Sequence, residues 1–325
     1  MTTGMDSATG HRVVLDWGTS SFRAILVDGD GEVLARQENG NGIASVEAGG
    51  FAGVLEEALG SWRASYGVLP IIAAGMIGSR NGWIETPYVP TPATADDIAA
   101  ACRRIDLGSG ETVTFVPGLT DPAAIPFPDV MRGEETQLVG FGLQDDATII
   151  LPGTHSKWSR VGGGRIQRFQ TFVTGEMFGL LARHSFVART AAPRRDGDAD
   201  RPSFDPVSFD PSSFDRGLAA AREEQARAGG LLARLFGLRT GWLSGALEPA
   251  EMTGYLSGLV VGWEFAEARQ AGWFAKGDAV ALVGDEDLVE IYRRAGEGFG
   301  LDIRSGPADA VLNGALALMA LATGD

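Results

Sequence analysis

Val13-Val14-Leu15-Asp16-Trp17-Gly18-Thr19-Ser20-Ser21-Phe22-Arg23-Ala24-Ile25-Leu26-Val27 decides how this chain folds. Val13 to Asp16 reads as a strand, Trp17 to Ser21 as a turn and Phe22 to Val27 as a second strand. Asp28-Gly29-Asp30-Gly31 is a tight hairpin turn, and Glu32 to Arg36 a third strand. The pattern returns in the second half of the chain. Thr148 to Leu151 is a strand, Pro152-Gly153-Thr154-His155-Ser156 a turn, and Lys157 to Val161 a strand. Gly162-Gly163-Gly164 is a hairpin turn, and Arg165 to Thr171 a third strand. Gly18 falls on Gly153, Thr19 on Thr154 and Ser21 on Ser156, at a constant offset of 135 residues. That spacing is one domain long, so two copies of one α/β domain are expected.

Outward from the first turn, Ala48 to Ser65 has helical spacing, with Phe51, Leu55, Leu59 and Trp62 on one stripe. Val68 to Ala73 is a strand. Thr94 caps a helix through Ile105, with Asp96 and Asp97 in its first turn. Thr112 to Val116 is a strand, and Asp129 precedes a helix from Val130 to about Leu143, completing the order βββαβαβα. In the second half, helices over Ala219 to Phe236 and Pro249 to Gln270 are followed by a strand (Ala279 to Val283), a helix (Asp285 to Glu297), a strand (Leu301 to Arg304) and a last helix (Ala308 to Leu321). The domains read as 1–145 and 146–325, with the last helix free to pack on the first. Ala191 to Asp215, carrying Ser203-Phe204-Asp205-Pro206, Ser208-Phe209-Asp210-Pro211 and Ser213-Phe214-Asp215, reads as a surface insertion with turn chemistry. A lid or partner-docking segment is the other reading.

Composition removes several classes of function. A chain of 325 residues that is 44% hydrophobic is not disordered. No apolar run approaches the roughly 18 residues of a membrane helix. Val13-Val14-Leu15 is interrupted at once by Asp16, so no secretory leader is read and a cytoplasmic location is expected. The single cysteine, Cys102, excludes an internal disulfide, and His11, His155 and His184 are too scattered for a zinc centre. With 27 basic against 42 acidic residues the formal charge is −15, which makes nucleic acid and anionic lipid improbable partners. An anionic substrate must therefore be met by backbone N–H groups, arginine and metal concentrated locally. Only Lys157 and Lys276 are lysines, against 25 arginines. The oligomeric state is open, with a homodimer among the options.

Each of the two turns sets Gly-Thr and a hydroxyl residue between strands. Successive N–H groups with Thr and Ser hydroxyls cradle phosphate oxygens, and a matched pair of such turns suits a polyphosphate. Asp16 stands two residues before Gly18, where the second turn has Leu151. A single carboxylate at a strand end suits one Mg²⁺ held through water; the plainer reading is a turn cap. Lys157 follows the second turn as a phosphate ligand or a surface lysine, and His155 either meets phosphate or orders the turn. Asp129 is either a helix N-cap or a general base, since phosphoryl transfer to an alcohol needs a carboxylate at the attacking hydroxyl. Glu134 and Glu135 compete for that role. Arg132 suits the anionic end of a substrate. Gly75 to Tyr88 mixes Gly hinges with polar and aromatic groups, and Gly78, Ser79, Arg80, Asn81 and Trp83 suit recognition of a polar small molecule, unless the segment is a plain connection. Asn39-Gly40-Asn41-Gly42-Ile43 gives a weaker signal of the same kind. Val283-Gly284-Asp285 opens a helix through Gly and suits the adenosine or phosphate end of a nucleotide. The chain has no G-x-x-x-x-G-K-[ST] loop, no G-x-S-x-G elbow and no strand-linked G-x-G-x-x-G.

Asp16-Trp17-Gly18-Thr19-Ser20-Ser21 and Gly153-Thr154-His155-Ser156-Lys157-Trp158 resemble the two phosphate motifs of the sugar kinase, actin and heat-shock ATPase superfamily. Together with Gly75-Met76-Ile77-Gly78-Ser79-Arg80, Trp83, Pro87-Tyr88, Asp129-Val130-Met131-Arg132-Gly133-Glu134-Glu135-Thr136-Gln137 and Leu151-Pro152, the chain resembles the 2-keto-3-deoxygalactonokinase family. Thr174-Gly175-Glu176-Met177 and Phe204-Asp205-Pro206 extend the likeness, and the further Ser-Phe-Asp-Pro copies depart from it. The resemblance implies an actin-like ATPase fold of two duplicated ribonuclease H-like domains with ATP and sugar acid in the cleft. It implies ATP-dependent phosphorylation of 2-dehydro-3-deoxy-D-galactonate at its 6-hydroxyl in galactonate catabolism. Carried over by position, Asp16 organises Mg²⁺, Gly18 to Ser20 and Gly153 to His155 hold phosphates, and Gly284 lies by the adenosine. Asp129 as base extends the pattern of sugar kinases that keep an Asp at a helix start. The substrate's carboxylate requires a local cation, and Arg80 and Arg132 are the expected ones. The rival readings are a kinase of the same fold for another sugar or sugar acid, and a nucleotide-binding regulator without sugar turnover.

Overall fold

The computed structural model describes residues 10–108, 110–187, 210–222 and 230–324. The chain divides into two units, one of Met1–Asp146, Val161–Arg168 and Pro307–Asp325, the other of Ala147–Arg160 and Phe169–Gly306.

In the first unit, Val13, Val14 and Leu15 are fully buried, as a strand covered on both faces must be. They belong to β1 (Arg12–Trp17), which pairs antiparallel with β2 (Phe22–Val27); β2 pairs antiparallel with β3 (Val33–Asn39). Next comes α1 (Phe51–Tyr66), whose stripe Phe51, Leu55, Leu59 and Trp62 is buried, and then β4 (Ile71–Ala74), parallel to β1. β5 (Tyr88–Pro90) and α2 (Ala95–Ala100) precede the hairpin of β6 (Arg103–Gly108) and β7 (Glu111–Phe115). β8 (Gly118–Asp121), β9 (Asp129–Met131) and α3 (Glu134–Phe141) complete the run. The main sheet has the order β3-β2-β1-β4-β7-β6, and β5-β8-β9 form a small sheet of their own.

Two expected helices are shorter than their patterns suggested. Thr94 does cap α2, through a capping box with Asp97, but that helix stops at Ala100 rather than Ile105. In β6 only Ile105 and Leu107 turn onto the core, a spacing of two that belongs to a strand. The helix expected from Val130 begins at Glu134, because Asp129–Met131 pairs with β8 and Gly133 turns the chain. Asp129 is thus not an N-cap. Long-range pairing overrides local signals in both places.

In the second unit, β10 (Ala147–Leu151), β11 (Ser156–Gly162) and β12 (Arg165–Phe172) are followed by α4 (Thr174–His184), α5 (Pro211–Arg222), α6 (Gly230–Leu243) and α7 (Met252–Gln270). β13 (Ala279–Leu282), α8 (Glu286–Gly298) and β14 (Asp302–Ser305) close it. Its sheet order, β12-β11-β10-β13-β14, repeats β3-β2-β1-β4-β7, with the last two pairings parallel in both. α7 is buried nearly all round, and α5 lies along it where Gly217 and Gly258 let the backbones approach. The last helix, α9 (Ala310–Thr323), packs in the first unit against α3 in the same way, through Gly140 and Gly314.

The stretch read as a surface insertion ends differently from expectation. Ser213-Phe214-Asp215 lies in α5 rather than a loop: Asp210 accepts the Ser213 N–H at 2.7 Å, and Ser213 and Phe214 are fully buried. The other two Ser-Phe-Asp copies, apart from Asp210 and Pro211, lie outside the described residues, as do 223–229 of the helix expected over Ala219 to Phe236. No helix among the described residues is long and apolar enough to cross a membrane.

Candidate active site

β1 carries Asp16 to the end of the central strands, opposite Arg23 on β2 and Ala74 on β4. Its side chain is 27% exposed, with the Arg23 guanidinium 3.6 Å away. Burial raises its carboxyl above the ordinary range; Arg23 opposes this, while Glu134 and Glu38 add to it. The turn that follows is held from outside. The carbonyls of Gly18 and Thr19 accept the N–H groups of Ile43 and Ala44, each at 3.0 Å, and the Trp17 indole donates to the Asn41 carbonyl at 2.8 Å. Gly42 lies so close to Thr19 and Ser20 that a Cβ would collide with their backbone. The Asn39–Ile43 segment therefore braces the turn and leaves Thr19 and Ser20 exposed.

Behind Asp16, Gly75 has φ +91°, and a Cβ there would stand 2.9 Å from the Trp17 carbonyl oxygen and 3.5 Å from Asp16 Oδ1. Gly133 lies against Gly75, with its Cβ position 3.3 Å from the Gly75 Cα. This contact brings the start of α3 beside Asp16. Glu134 Oε2 accepts the Arg132 N–H at 3.1 Å, and Glu135 Oε2 the Gly133 N–H at 2.7 Å. Glu135 is fully buried, also accepts the Thr136 hydroxyl, and its pKa is pushed up to about 7, first by burial and then by Glu134. Asp129 lies on β9 opposite Asp121, its Oδ1 accepting the Val130 N–H and its carbonyl the Thr120 hydroxyl.

Arg132 is only 9% exposed. Its guanidinium donates to the hydroxyl and, at 3.2 Å, to the carbonyl of Thr86, and sits 4.5 Å over the Tyr88 ring. Its Nε has no partner, nor does the buried hydroxyl of Ser79. Among the described residues its guanidinium has no carboxylate partner. Gly78 makes the room: a Cβ there would be 3.0 Å from the Arg132 guanidinium. Arg80 is the opposite case, 85% exposed and 3.5 Å from Glu85. Asn81 also points outward, while Trp83 packs on Phe51 and Phe115 in the core. The segment from Gly75 to Tyr88 thus contributes Gly78, Thr86 and Tyr88 to the surroundings of Arg132 and uses Trp83 for packing.

The second turn is braced by α4. The Glu176 N–H donates to the Thr154 carbonyl at 3.0 Å, and Gly175 presses so close that a Cβ would be 2.8 Å from the Thr154 Cα. The Glu176 carboxylate lies 2.6 Å from His155 Nε2, both half-exposed. Thr154 is exposed, whereas Ser156 and Lys157 are buried. The Ser156 hydroxyl turns inward to donate to Glu264 at 2.8 Å. Lys157 is not a surface lysine: its amine folds back on the His155 carbonyl at 2.9 Å. Gly284 is exposed beside this turn, with its Cβ position 3.6 Å from Pro152, and Asp285 caps α8 behind it. No group of three or more His, Cys, Asp or Glu that could hold a metal is found among the described residues.

The family described as 2-keto-3-deoxy-galactonokinase matches residues 16–318, from Asp16 almost to the end of α9. The chain belongs to the 2-keto-3-deoxy-galactonokinase family. A family relative from Rhizobium meliloti (strain 1021), "Probable 2-dehydro-3-deoxygalactonokinase DgoK1", is 35% identical over 97% of this chain and 98% of its own. The 2-dehydro-3-deoxygalactonokinase of Escherichia coli (strain K12) is 30% identical over 93% and 94%. Among solved structures, that of "a putative 2-dehydro-3-deoxygalactonokinase protein from Sinorhizobium meliloti" superposes with a TM-score of 0.80 at 36% identity, covering 95% of this chain and 98% of that one.

For this member of the 2-keto-3-deoxy-galactonokinase family, reading the sequence missed Thr86, Glu176 and Glu264. Thr86 left no signal. Glu264 left one: it is a lone carboxylate within Leu259-Val260-Val261-Gly262-Trp263-Glu264-Phe265-Ala266. A charge inside such a run has to find buried partners.

Proposed function

We propose that the chain transfers the γ-phosphoryl group of ATP to the 6-hydroxyl of 2-dehydro-3-deoxy-D-galactonate, a step of galactonate catabolism. Membership of the family supports the reaction class. The observation that carries the substrate class is Arg132, a buried guanidinium without a carboxylate partner among the described residues and with its Nε unsatisfied. A substrate carboxylate supplies that partner, and we assign the unpartnered Ser79 hydroxyl to the same substrate. We assign the ATP phosphates to Gly18, Thr19 and Ser20 and to Gly153, Thr154 and His155. Ser156 and Lys157 support the second turn from behind, and Gly284 marks the adenosine edge.

Mg²⁺ accompanies the nucleotide and neutralises the charge that develops on the transferred group. Asp16 fits it: one partly exposed carboxylate at a strand end is the donor set of an ion that keeps most of its water. We assign proton removal from the 6-hydroxyl to Asp129. Glu134 is the second reading, because its charge acts directly on Asp16. Glu135 is disfavoured by its burial and by the donors already on both its oxygens. We also read the two sheets as duplicated ribonuclease H-like domains of an actin-like ATPase fold, 1–145 and 146–325 with the last helix packed on the first, a reading their shared strand order supports.

The test is coupled ADP release with ATP, Mg²⁺ and a panel of 2-dehydro-3-deoxygalactonate, its gluconate epimer, galactonate and neutral hexoses. We expect a strong preference for the first. Asp129→Asn should lower kcat by about 10²–10⁴-fold, as loss of a general base does. Turnover of a neutral hexose instead would remove the Arg132 assignment, and no sugar-dependent turnover would favour the regulator.

A further inference from the structure

Glu264 sits in the core of the second unit, 3% exposed, on the helix α7. Its Oε1 accepts the Ser156 hydroxyl at 2.8 Å and the Trp158 indole N–H at 2.7 Å. Its Oε2 accepts the Tyr292 hydroxyl at 2.6 Å, and the Thr174 side chain bonds to the same carboxyl. Four donors from β11, α4 and α8 thus converge on one side chain. No cation neutralises it among these contacts, and burial raises its carboxyl above the ordinary range.

The three elements share a second property. Ser156 closes the turn that starts at Gly153. Thr174 opens α4, which holds Thr154 through the Glu176 N–H and His155 through the Glu176 carboxylate. Tyr292 lies on α8, whose capped start follows Gly284. Every donor to Glu264 therefore belongs to an element that carries or braces a residue assigned to the nucleotide. Packing alone does not call for a carboxylate there. Exchanging a buried charge and its partners for apolar groups of similar volume is often neutral or stabilising.

We propose that Glu264 is a positioning residue for nucleotide binding, joining the second phosphate turn, the start of α4 and the Gly284 edge into one rigid body. The inference rests on the reading of Gly153–His155 as a phosphate site. It places no group of Glu264 on the substrate.

Glu264→Gln keeps the volume and still offers an oxygen to Ser156 and Trp158, while it replaces the acceptor of the Tyr292 hydroxyl by an amide donor. Tyr292→Phe cuts only the link to α8. Both are compared with the wild-type chain in steady-state kinetics, in calorimetric titration with an unhydrolysable ATP analogue and Mg²⁺, and in thermal melting. The expected result is KM for ATP raised about tenfold in Glu264→Gln, the equivalent of one lost hydrogen bond, and several-fold in Tyr292→Phe. KM for the sugar acid stays within about twofold in both. An unchanged KM for ATP, or equal increases in both KM values, would overturn the proposal and leave Glu264 a core residue. If the wild type binds the analogue without sugar-dependent turnover and Glu264→Gln weakens that binding, the kinase reading falls and this inference stands.

Discussion

Arg132 holds its charge inside the protein with part of its hydrogen-bonding capacity unused. Leaving such a group unsatisfied costs about 1–3 kcal/mol, and a bound carboxylate removes that cost. Arg132→Ala should therefore raise KM for the sugar acid by roughly 10–100-fold, the range of a charge-assisted hydrogen bond. Arg132→Lys should recover little of this, because an ammonium lacks the planar fork. Arg80→Ala should change KM less than about twofold, since Arg80 is exposed and paired with Glu85. Kinetics with the acid varied at saturating ATP measures all three, and equal losses in the two alanine variants would refute the distinction. Glu135 makes a separate prediction about pH. Its pKa in the folded chain, pushed up to about 7 by burial and then by Glu134, lies above the ordinary glutamate value of 4.5. The stability this carboxyl allows is full below about pH 4.5 and is lost as pH rises through 7, by about 3 kcal/mol in all. Glu135→Gln removes that dependence. Its stability relative to wild type should rise from pH 5 to about pH 7 and level off above it in urea melts, and a difference constant with pH would refute the assignment.

At the scale of elements, the two turns assigned above to the ATP phosphates are exposed loops made rigid by other backbone. Asn39–Ile43 braces the first and the start of α4 the second. Gly42→Ala drives a Cβ into the backbone of Thr19 and Ser20, and overpacking of this kind costs about 1–3 kcal/mol. Since the displaced atoms belong to the turn we assign to phosphate, KM for ATP should rise at least about tenfold with KM for the sugar acid little changed. Gly40→Ala, with nothing within 4 Å of its Cβ position, is the control and should behave as wild type. The turns themselves were legible because each lies between two apolar runs and needs only local chemistry, and the repeat at a constant offset doubled the signal. Their braces were less so: Gly42 read as a weak recognition loop, and its reason is a contact with a turn 22 residues earlier. The start of α3 was misread for the same kind of cause. Asp129–Met131 has helical neighbours in sequence but a strand partner in space. Arg132 was read as a cation for an anionic substrate from its charge alone, whereas its burial over Tyr88 depends on Gly78 and Thr86, which no periodicity connects to it.

For the whole molecule, the strand order was readable in outline and the charge in full. Five strands recur in the same order in both sheets, as the repeat of the two turns suggested, while β5, β6, β8 and β9 are additions that no internal repeat announced. The formal charge of −15 acts on every anion that approaches, both ATP and a sugar acid. Two electrostatic terms then compete. The repulsion comes from charges distributed over a surface tens of ångströms across, roughly, and a Debye length falling from about 30 Å at 0.01 M salt to about 8 Å at 0.15 M removes most of it. The attraction we propose comes from Arg132, a buried cation within hydrogen-bond reach of the acid, where salt screens little. Salt should accordingly relieve the repulsion and leave the attraction in place. At saturating ATP and fixed free Mg²⁺, kcat/KM for the sugar acid should rise about two- to threefold over that range of salt, contrary to the fall expected of an enzyme that steers its anionic substrate by a broad positive field. In Arg132→Ala the same relative rise should persist from a lower starting value, because the repulsion is unchanged. A fall with salt in the wild type would mean that cations beyond Arg132 dominate the approach, and the substrate path would then have to run past the exposed arginines rather than directly to the buried one.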